Sequence, residues 1–184
     1  RVPSQIVSRK DGKAEVLFAS EMSPYSVEVF DIRVGKSSSG TSLKITDRTI
    51  ENAIYRLKLD SNGDICSIVD KRCGREIVKK GESIGLRAFP DNKSLKWPAW
   101  EIIRDVMEKE PVKVADNVRV SIVDRGPLRA TLKEEKSYGE SSFVQLISLT
   151  DGADDDRIDI VTDVDWHSEA TLLKASFPMD FPSP

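Results

Sequence analysis

Apolar and polar residues alternate along most of the second half of this chain, a period of two that is typical of β-strands rather than helices. In the clearest case, the alternating run 118–122 is separated by a Gly-Pro turn at 125–127 from a second alternating run at 128–132. Two such runs joined by a turn predict an antiparallel hairpin. The chain is therefore expected to be all-β.

Other alternating segments predict the remaining strands. Residues 143–149 are apolar on both faces, which predicts a central strand covered on both sides, whereas the run 158–166 has aspartates on its solvent face. Asn62-Gly63 lies between two short apolar runs and predicts a hairpin with a type I′ turn, in which both residues have positive φ. Further strands are predicted at 15–19, 25–34, 55–59, 65–69, 76–78 and 172–177, with a bulge between Val29 and Phe30 where the apolar parity switches.

Helix is predicted only within residues 100–110, where apolar residues at helical spacing precede a proline. An irregular loop with one helical turn is an equally good interpretation. The Gly/Ser-rich stretch 35–42 is either a linker or an exposed hairpin loop. We place a domain boundary near Arg48, so that residues 1–48 form a small β unit or the end of a preceding β domain, and 49–184 form an antiparallel β-sandwich.

Charge and cysteine content exclude several classes of function. The 28 Lys and Arg residues against 31 Asp and Glu residues give a net charge of −3, which is not typical of a nucleic-acid binder. No run of 18 apolar residues exists, so no membrane-spanning helix is expected. Cys66 and Cys73 are spaced too widely for a zinc CxxC motif. They are more typical of free thiols in a reducing compartment such as the cytoplasm. The alternative interpretation is one local disulfide between them.

An aromatic cluster at residues 97–101 is the first candidate binding surface. Trp97 and Trp100 lie three residues apart beside the carboxylate of Glu101. Flat indole rings can stack on sugar faces, and a carboxylate can accept hydrogen bonds from sugar hydroxyls. The alternative is that both tryptophans are packed in the core, which is the commoner position for such large apolar residues.

Two acidic segments are candidate catalytic or metal sites. Asp165 precedes the chain's one histidine, His167, and a histidine beside a carboxylate can act as a general base. No sequence motif supplies a nucleophile, and a structural role is the alternative. The acidic run 151–156 lacks the spacing of an EF-hand loop, so a solvated hairpin loop is the better interpretation. One histidine cannot build a multi-histidine zinc site.

Several segments, in a fixed order, resemble the C-terminal β domain of glycoside hydrolase family 38, the α-mannosidases. The resemblance begins at residues 51–65 and extends to about Pro178. Pro98 and Glu101 stand where the family's tryptophan segment has aspartates, so Pro98 removes a carboxylate and a backbone donor. The matching segments are 51–65, 67–70, 74–76, 97–102, 126–130, 145–149, 157–159, 164–167 and 172–178.

The resemblance implies a large mannosidase-type, galactose-mutarotase-like sandwich in an enzyme that hydrolyses α-mannosidic bonds of glycans by a retaining, zinc-assisted route. It places the zinc and the catalytic carboxylates in an N-terminal catalytic domain, so neither is expected in this chain. The chain begins at Arg1 without a methionine and is expected to be part of a longer protein. It would then form a scaffold and wall of the sugar site, with Trp97, Trp100 and Glu101 as substrate-binding candidates. Two alternatives stay open, a stand-alone carbohydrate-binding or adhesion module and a structural module without a ligand.

Overall fold

The computed structural model describes residues 2–33, 35, 40–91, 96–97, 100–152 and 156–181. Within them the chain forms fourteen strands, whose pairings are all antiparallel, and one short helix. In this part of the chain, no helix has the length and apolar composition needed to cross a bilayer. The elements are β1 Ser4–Lys10, β2 Lys13–Phe18, β3 Lys44–Ile45, β4 Thr49–Glu51, β5 Tyr55–Leu59, β6 Ile65–Asp70, β7 Arg75–Glu76, β8 Gly85–Pro90, α1 Arg104–Met107, β9 Val112–Lys113, β10 Asp116–Arg125, β11 Arg129–Tyr138, β12 Ser141–Thr150, β13 Asp159–Asp165 and β14 Thr171–Ser176.

The strands form four sheets, with the orders β1-β2, β3-β4-β5-β6-β7, β14-β8-β9 and β10-β11-β12-β13. This architecture confirms the all-β prediction. The boundary near Arg48 remains a prediction, and β3 and β4 pair with each other on either side of that residue.

The four-stranded sheet contains the longest predicted strands. Strands β10 and β11 form the predicted hairpin, closed by a cis Gly126-Pro127 peptide and a hydrogen bond from the Gly126 N–H to the Arg129 carbonyl oxygen. Strand β12 is central, as predicted, but only its inner face is well buried, because Val144 and Leu146 on the outer face are half-buried. The aspartates of β13 lie on its outer face, with Asp163 and Asp165 exposed.

Two apolar clusters lie between the sheets. The larger joins the inner faces of β4, β5 and β6 to those of β11 and β12, and includes Ile50, Leu57, Leu132 and Ile147. The smaller contains Phe143 of β12 together with side chains from β8, and Trp166 packs against it. The Trp166 ring stacks on Tyr138 at a centroid distance of 6.5 Å and meets Phe143 edge-on at 6.2 Å. Trp166 is therefore partly buried and packs against the smaller cluster.

The predicted strand at 25–34 is absent over residues 25–33, and residue 34 lies outside the described residues. Tyr25 has a φ of 56°, which interrupts an extended backbone where the strand would begin. The side chains of Tyr25, Val27 and Val29 are almost fully exposed. A strand needs a neighbour for its backbone hydrogen bonds, and alternation alone does not provide one. The proposed bulge between Val29 and Phe30 therefore does not arise.

The hairpin joining β5 to β6 forms where predicted, but its turn is not type I′. Gly63 has a φ of +79°, whereas Asn62 does not have a positive φ. The reason is Asp60, whose Oδ1 accepts hydrogen bonds from the N–H groups of Asn62 at 2.8 Å and of Asp64 at 3.1 Å. This side-chain capping stabilises a wider turn in which one residue with positive φ is enough.

Candidate functional site

The tryptophan segment forms a tight turn. The carbonyl oxygen of Trp97 accepts hydrogen bonds from the backbone N–H groups of Trp100 at 3.0 Å and Glu101 at 3.1 Å. The turn brings the two indole rings to a centroid distance of 6.2 Å with an interplanar angle of 37°. Lys96 Nζ lies 5.8 Å from the centre of the Trp97 ring. Sequence neighbours thus become a paired aromatic surface, although Pro98 and Ala99 lie outside the described residues.

Both rings face solvent. Trp97 is 55% exposed and Trp100 is 87% exposed. The alternative that these residues are packed in the core therefore does not hold. Together with Glu101 they line a surface recess of about 310 Å³. Exposed paired tryptophans are unusual on a protein surface and mark a candidate binding site.

The chain that follows this surface is anchored by one side chain. Helix α1 is a single turn, as the sequence allowed, and its Val106 is completely buried. Helix α1 contacts β8, and Lys174 Nζ of β14 approaches Met107 Sδ at 3.6 Å. The segment that carries the recess is therefore held, through α1, against the sheet β14-β8-β9.

The other two sequence candidates lie on the surface. His167 Nε2 is 2.9 Å from Asp165 Oδ1, and both side chains are more than half exposed. In the acidic run, Asp151 Oδ1 accepts hydrogen bonds from the Ser42 backbone N–H and Oγ, and Asp156 pairs with Arg72 at 3.4 Å. The rest of that run, residues 153–155, lies outside the described residues. Asp151 therefore joins loops rather than facing an open site.

A group of buried charges, which the sequence analysis missed, joins β8, β11 and the β5–β6 turn. The Asp64 carboxylate accepts hydrogen bonds from Arg87 Nη1 at 2.8 Å, Lys136 Nζ at 3.0 Å and Ser83 Oγ at 3.1 Å. Lys136 Nζ also lies 2.8 Å from Glu134 Oε1. We call Asp64, Arg87, Glu134 and Lys136 the charge layer. A signal was available, because Glu134 and Lys136 continue the inward-facing positions of Ala130 and Leu132 on β11.

Glu134 is the least satisfied member of the charge layer. Its side chain is 1% exposed, and neither carboxylate oxygen accepts a well-aligned hydrogen bond from the described residues. Burial raises the pKa of Glu134 to about 7, against the opposing effect of the Lys136 ammonium group. A group with such a pKa can change its charge close to neutral pH.

The described residues contain no group of three or more His, Cys, Asp or Glu side chains arranged to hold a metal ion. Cys66 and Cys73 are free thiols, and burial raises the pKa of Cys66. The residues described here therefore do not fit a zinc ion.

The comparison with known families decides the assignment. The model of the "glycosyl hydrolases family 38 C-terminal domain" matches residues 50–184. The chain belongs to this family. The matched range of the family 38 domain contains the tryptophan surface and the whole charge layer, whereas the hairpin of β1 and β2 precedes it.

Curated relatives of the family 38 chain carry α-mannosidase names. Alpha-mannosidase G of Dictyostelium discoideum is 30% identical over 134 residues, which are 70% of this chain and 12% of the relative. Alpha-mannosidase 2C1 of Mus musculus is 27% identical over 137 residues, 74% of this chain and 13% of the relative. The Homo sapiens protein of that name is 28% identical over 131 residues, 71% of this chain and 12% of the relative. The family 38 chain thus aligns with a small part of each relative.

Proposed function

We propose that this family 38 domain is the β-sandwich part of an α-mannosidase that hydrolyses α-mannosidic bonds in glycans. The family match over residues 50–184 carries the proposal, and the α-mannosidase names of the relatives support it. In the complete enzyme the chain would act as a scaffold and as one wall of the sugar site. An N-terminal catalytic domain would supply the catalytic carboxylates of a retaining mechanism and its zinc ion, since the described residues do not fit a zinc ion.

The wall is assigned to Trp97, Trp100 and Glu101. A sugar ring has an apolar C–H face, which can pack against an exposed indole ring and remove apolar surface from water. The 37° angle between the rings leaves an open recess instead of a closed aromatic stack. Glu101 borders the same recess, so its carboxylate can accept hydrogen bonds from sugar hydroxyls.

The wall assignment is tested in the complete enzyme by steady-state kinetics on an α-mannoside oligosaccharide. Trp100→Ala should raise KM about 2- to 13-fold, because one aromatic contact contributes about 0.5–1.5 kcal/mol. Trp100→Phe should recover most of the loss by retaining a flat ring. Ile102→Ala, which truncates an exposed apolar side chain on the same segment, should leave KM unchanged. An unchanged KM for Trp100→Ala would remove the tryptophans from the sugar site.

The assignment of the reaction centre to another domain is tested on the 184-residue chain alone. Purified chain should not release the aryl group from an activated aryl α-mannoside. Its one histidine cannot build a multi-histidine zinc site, and its described residues form no metal-binding cluster. Turnover that disappears on chelation would contradict the assignment of the reaction centre to another domain.

A stand-alone carbohydrate-binding module is the second candidate function, and the exposed tryptophan pair favours it. A glycan array probed with the isolated chain separates the two. Saturable binding that Trp97→Ala and Trp100→Ala abolish would support an independent module. Absence of binding would leave the recess dependent on the rest of the enzyme.

A further inference from the structure

A second cavity lies inside the sandwich, away from the tryptophan surface. Its volume is about 200 Å³, and its walls come from β8, β14 and the β5–β6 turn on one side and from β11, β12 and β13 on the other. Thr162 and Phe177 line it and are exposed, Phe177 to 54%, so the cavity is accessible from solvent there. Most of the wall is apolar, with contributions from Ile65, Ile84, Leu86, Ile147, Ile160 and Phe177.

Glu134 supplies the strongest polar group of the wall. Its carboxylate lies against Gly63, where a Cβ atom would overlap Oε1, and Lys136 forms an ion pair with Oε1 only. Neither oxygen receives a well-aligned hydrogen bond from the described residues. Oε2 has no donor among the described residues, and a buried carboxylate oxygen without a donor is costly, so a ligand that donates a hydrogen bond to Oε2 would offset that cost.

The charge balance decides which donor fits. With Glu134 ionised, the two carboxylates and two cations of the charge layer sum to zero. The Asp60 carboxylate also acts on Glu134, but Asp60 is only half-buried and does not line the cavity. An ammonium group would add an uncompensated charge to a buried site, whereas a hydroxyl group adds none. At the opening, the polar Gln145 and Thr162 side chains already bond each other at 2.8 Å. The rest of the wall is apolar and therefore favours a ligand with an aliphatic carbon skeleton.

We propose that this cavity is a binding site for a small neutral aliphatic alcohol. The hydroxyl group donates its hydrogen bond to the Glu134 carboxylate, and the alkyl group packs against the isoleucines of the wall. No covalent step is involved. The site is separate from the tryptophan recess and does not depend on the mannosidase proposal.

Methyl NMR of the isoleucine-labelled 184-residue chain tests the site, with 2-methyl-1-propanol as the probe at pH 8. We expect saturable shifts of the methyl signals of Ile65, Ile84, Ile147 and Ile160. Isobutylammonium, which has the same carbon skeleton, should bind at least tenfold more weakly. Equal binding of the amine, or shifts that do not saturate, would overturn the proposal.

Two further measurements assign the binding to Glu134. Glu134→Gln should weaken alcohol binding at least fivefold, whereas Glu135→Gln, on the opposite face of β11 and paired with Lys133, should not change it. In the unaltered chain, lowering the pH from 8 to 5.5 protonates Glu134 and should weaken alcohol binding at least threefold. This measurement does not depend on whether a substituted chain folds. Affinity independent of both changes would indicate an apolar cavity without a polar anchor and would reject the proposal.

Discussion

Gly63 provides the space that the Glu134 carboxyl group occupies. A Cβ atom on Gly63 would overlap Glu134 Oε1, and the φ of +79° at Gly63 is one that other residues adopt with difficulty. The turn that begins β6 and the buried charge on β11 therefore depend on each other. The requirement for glycine at position 63 comes from both backbone and packing.

Replacing Gly63 by alanine should destabilise the fold by about 2–4 kcal/mol, which combines the cost of a positive φ with that of overpacking. Gly81→Ala is the matched control, because Gly81 has a φ of +84° but no heavy atom within 4 Å of its Cβ position. It should cost only about 1–2 kcal/mol. Urea denaturation of both variants measures the difference, and equal losses would mean that Glu134 moves aside without cost.

Stability should fall as the pH rises from about 4.5 to 7 because of Glu134. The folded state raises the pKa of this carboxyl to about 7, from an ordinary value of 4.5, so in that window the folded state retains a proton that the unfolded state has released. Asp64 and Asp60 raise the pKa further, and Lys136 opposes them. The total loss of unfolding free energy due to Glu134 is about 3 kcal/mol, and it is complete above pH 7.

The measurement is the difference in unfolding free energy between the unaltered chain and Glu134→Gln at pH 5 and pH 8. The other carboxyl groups, including Glu51 and Glu76 with lowered pKa values, are common to both proteins and largely cancel. The unaltered chain should lose about 2 kcal/mol relative to the variant between these pH values. A difference that does not change with pH would contradict the raised pKa.

Lys136→Met should destabilise the chain by about 3–5 kcal/mol, because it leaves the buried carboxylates of Asp64 and Glu134 short of a cation. Lys133→Met is the control on the same strand, where Lys133 pairs with Glu135 at 2.7 Å but both side chains are about one-third exposed. That surface pair should contribute less than about 1 kcal/mol. Similar losses of stability for the two variants in denaturant melts would show that Lys136 contributes no more to stability than a surface lysine.

Trp166→Ala should cost about 2–3 kcal/mol, somewhat less than the loss for a fully buried tryptophan, since its ring packs on Tyr138 and Phe143 but stays partly exposed. Trp97→Ala should change stability by no more than about 0.5 kcal/mol, because Trp97 faces solvent. Thermal melts of the two variants decide this. A harmless Trp166→Ala would contradict its packing against the smaller cluster.

Alternation predicts the strands of this chain best where one face is buried and the other is solvated. That condition holds fully for β5, whose residues alternate between buried and exposed, and partly for β10, whose apolar face is half-buried. Both strands were predicted from the sequence. Strand β8 is buried on both faces, so its residues do not alternate and the sequence analysis missed it. The segment 25–34 alternates but has no strand beside it over the described residues, so the same rule predicted a strand that does not form there.

The candidate sites show a similar division. The residue types at 97, 100 and 101 indicated a binding surface, but only the turn and the exposed rings excluded a packed cluster. The charge layer depends on contacts between distant segments, since Asp64 and Lys136 are 72 residues apart in sequence. The pattern of residues within one β-strand contains no information on a pairing between distant segments. A charged residue at an inward-facing position was the only local sign of it.

The charge layer has a consequence for how the sandwich aligns its strands. A shift of β11 by two residues keeps every side chain on its own face, so an apolar pattern alone discriminates poorly against it. With Glu134 and Lys136 on the inner face, the same shift would set Lys136 away from Asp64 and leave buried charges unmatched. Two salt-bridged residues in the interior thus make one alignment of β11 against the β5–β6 turn far more favourable than its nearest misaligned alternatives.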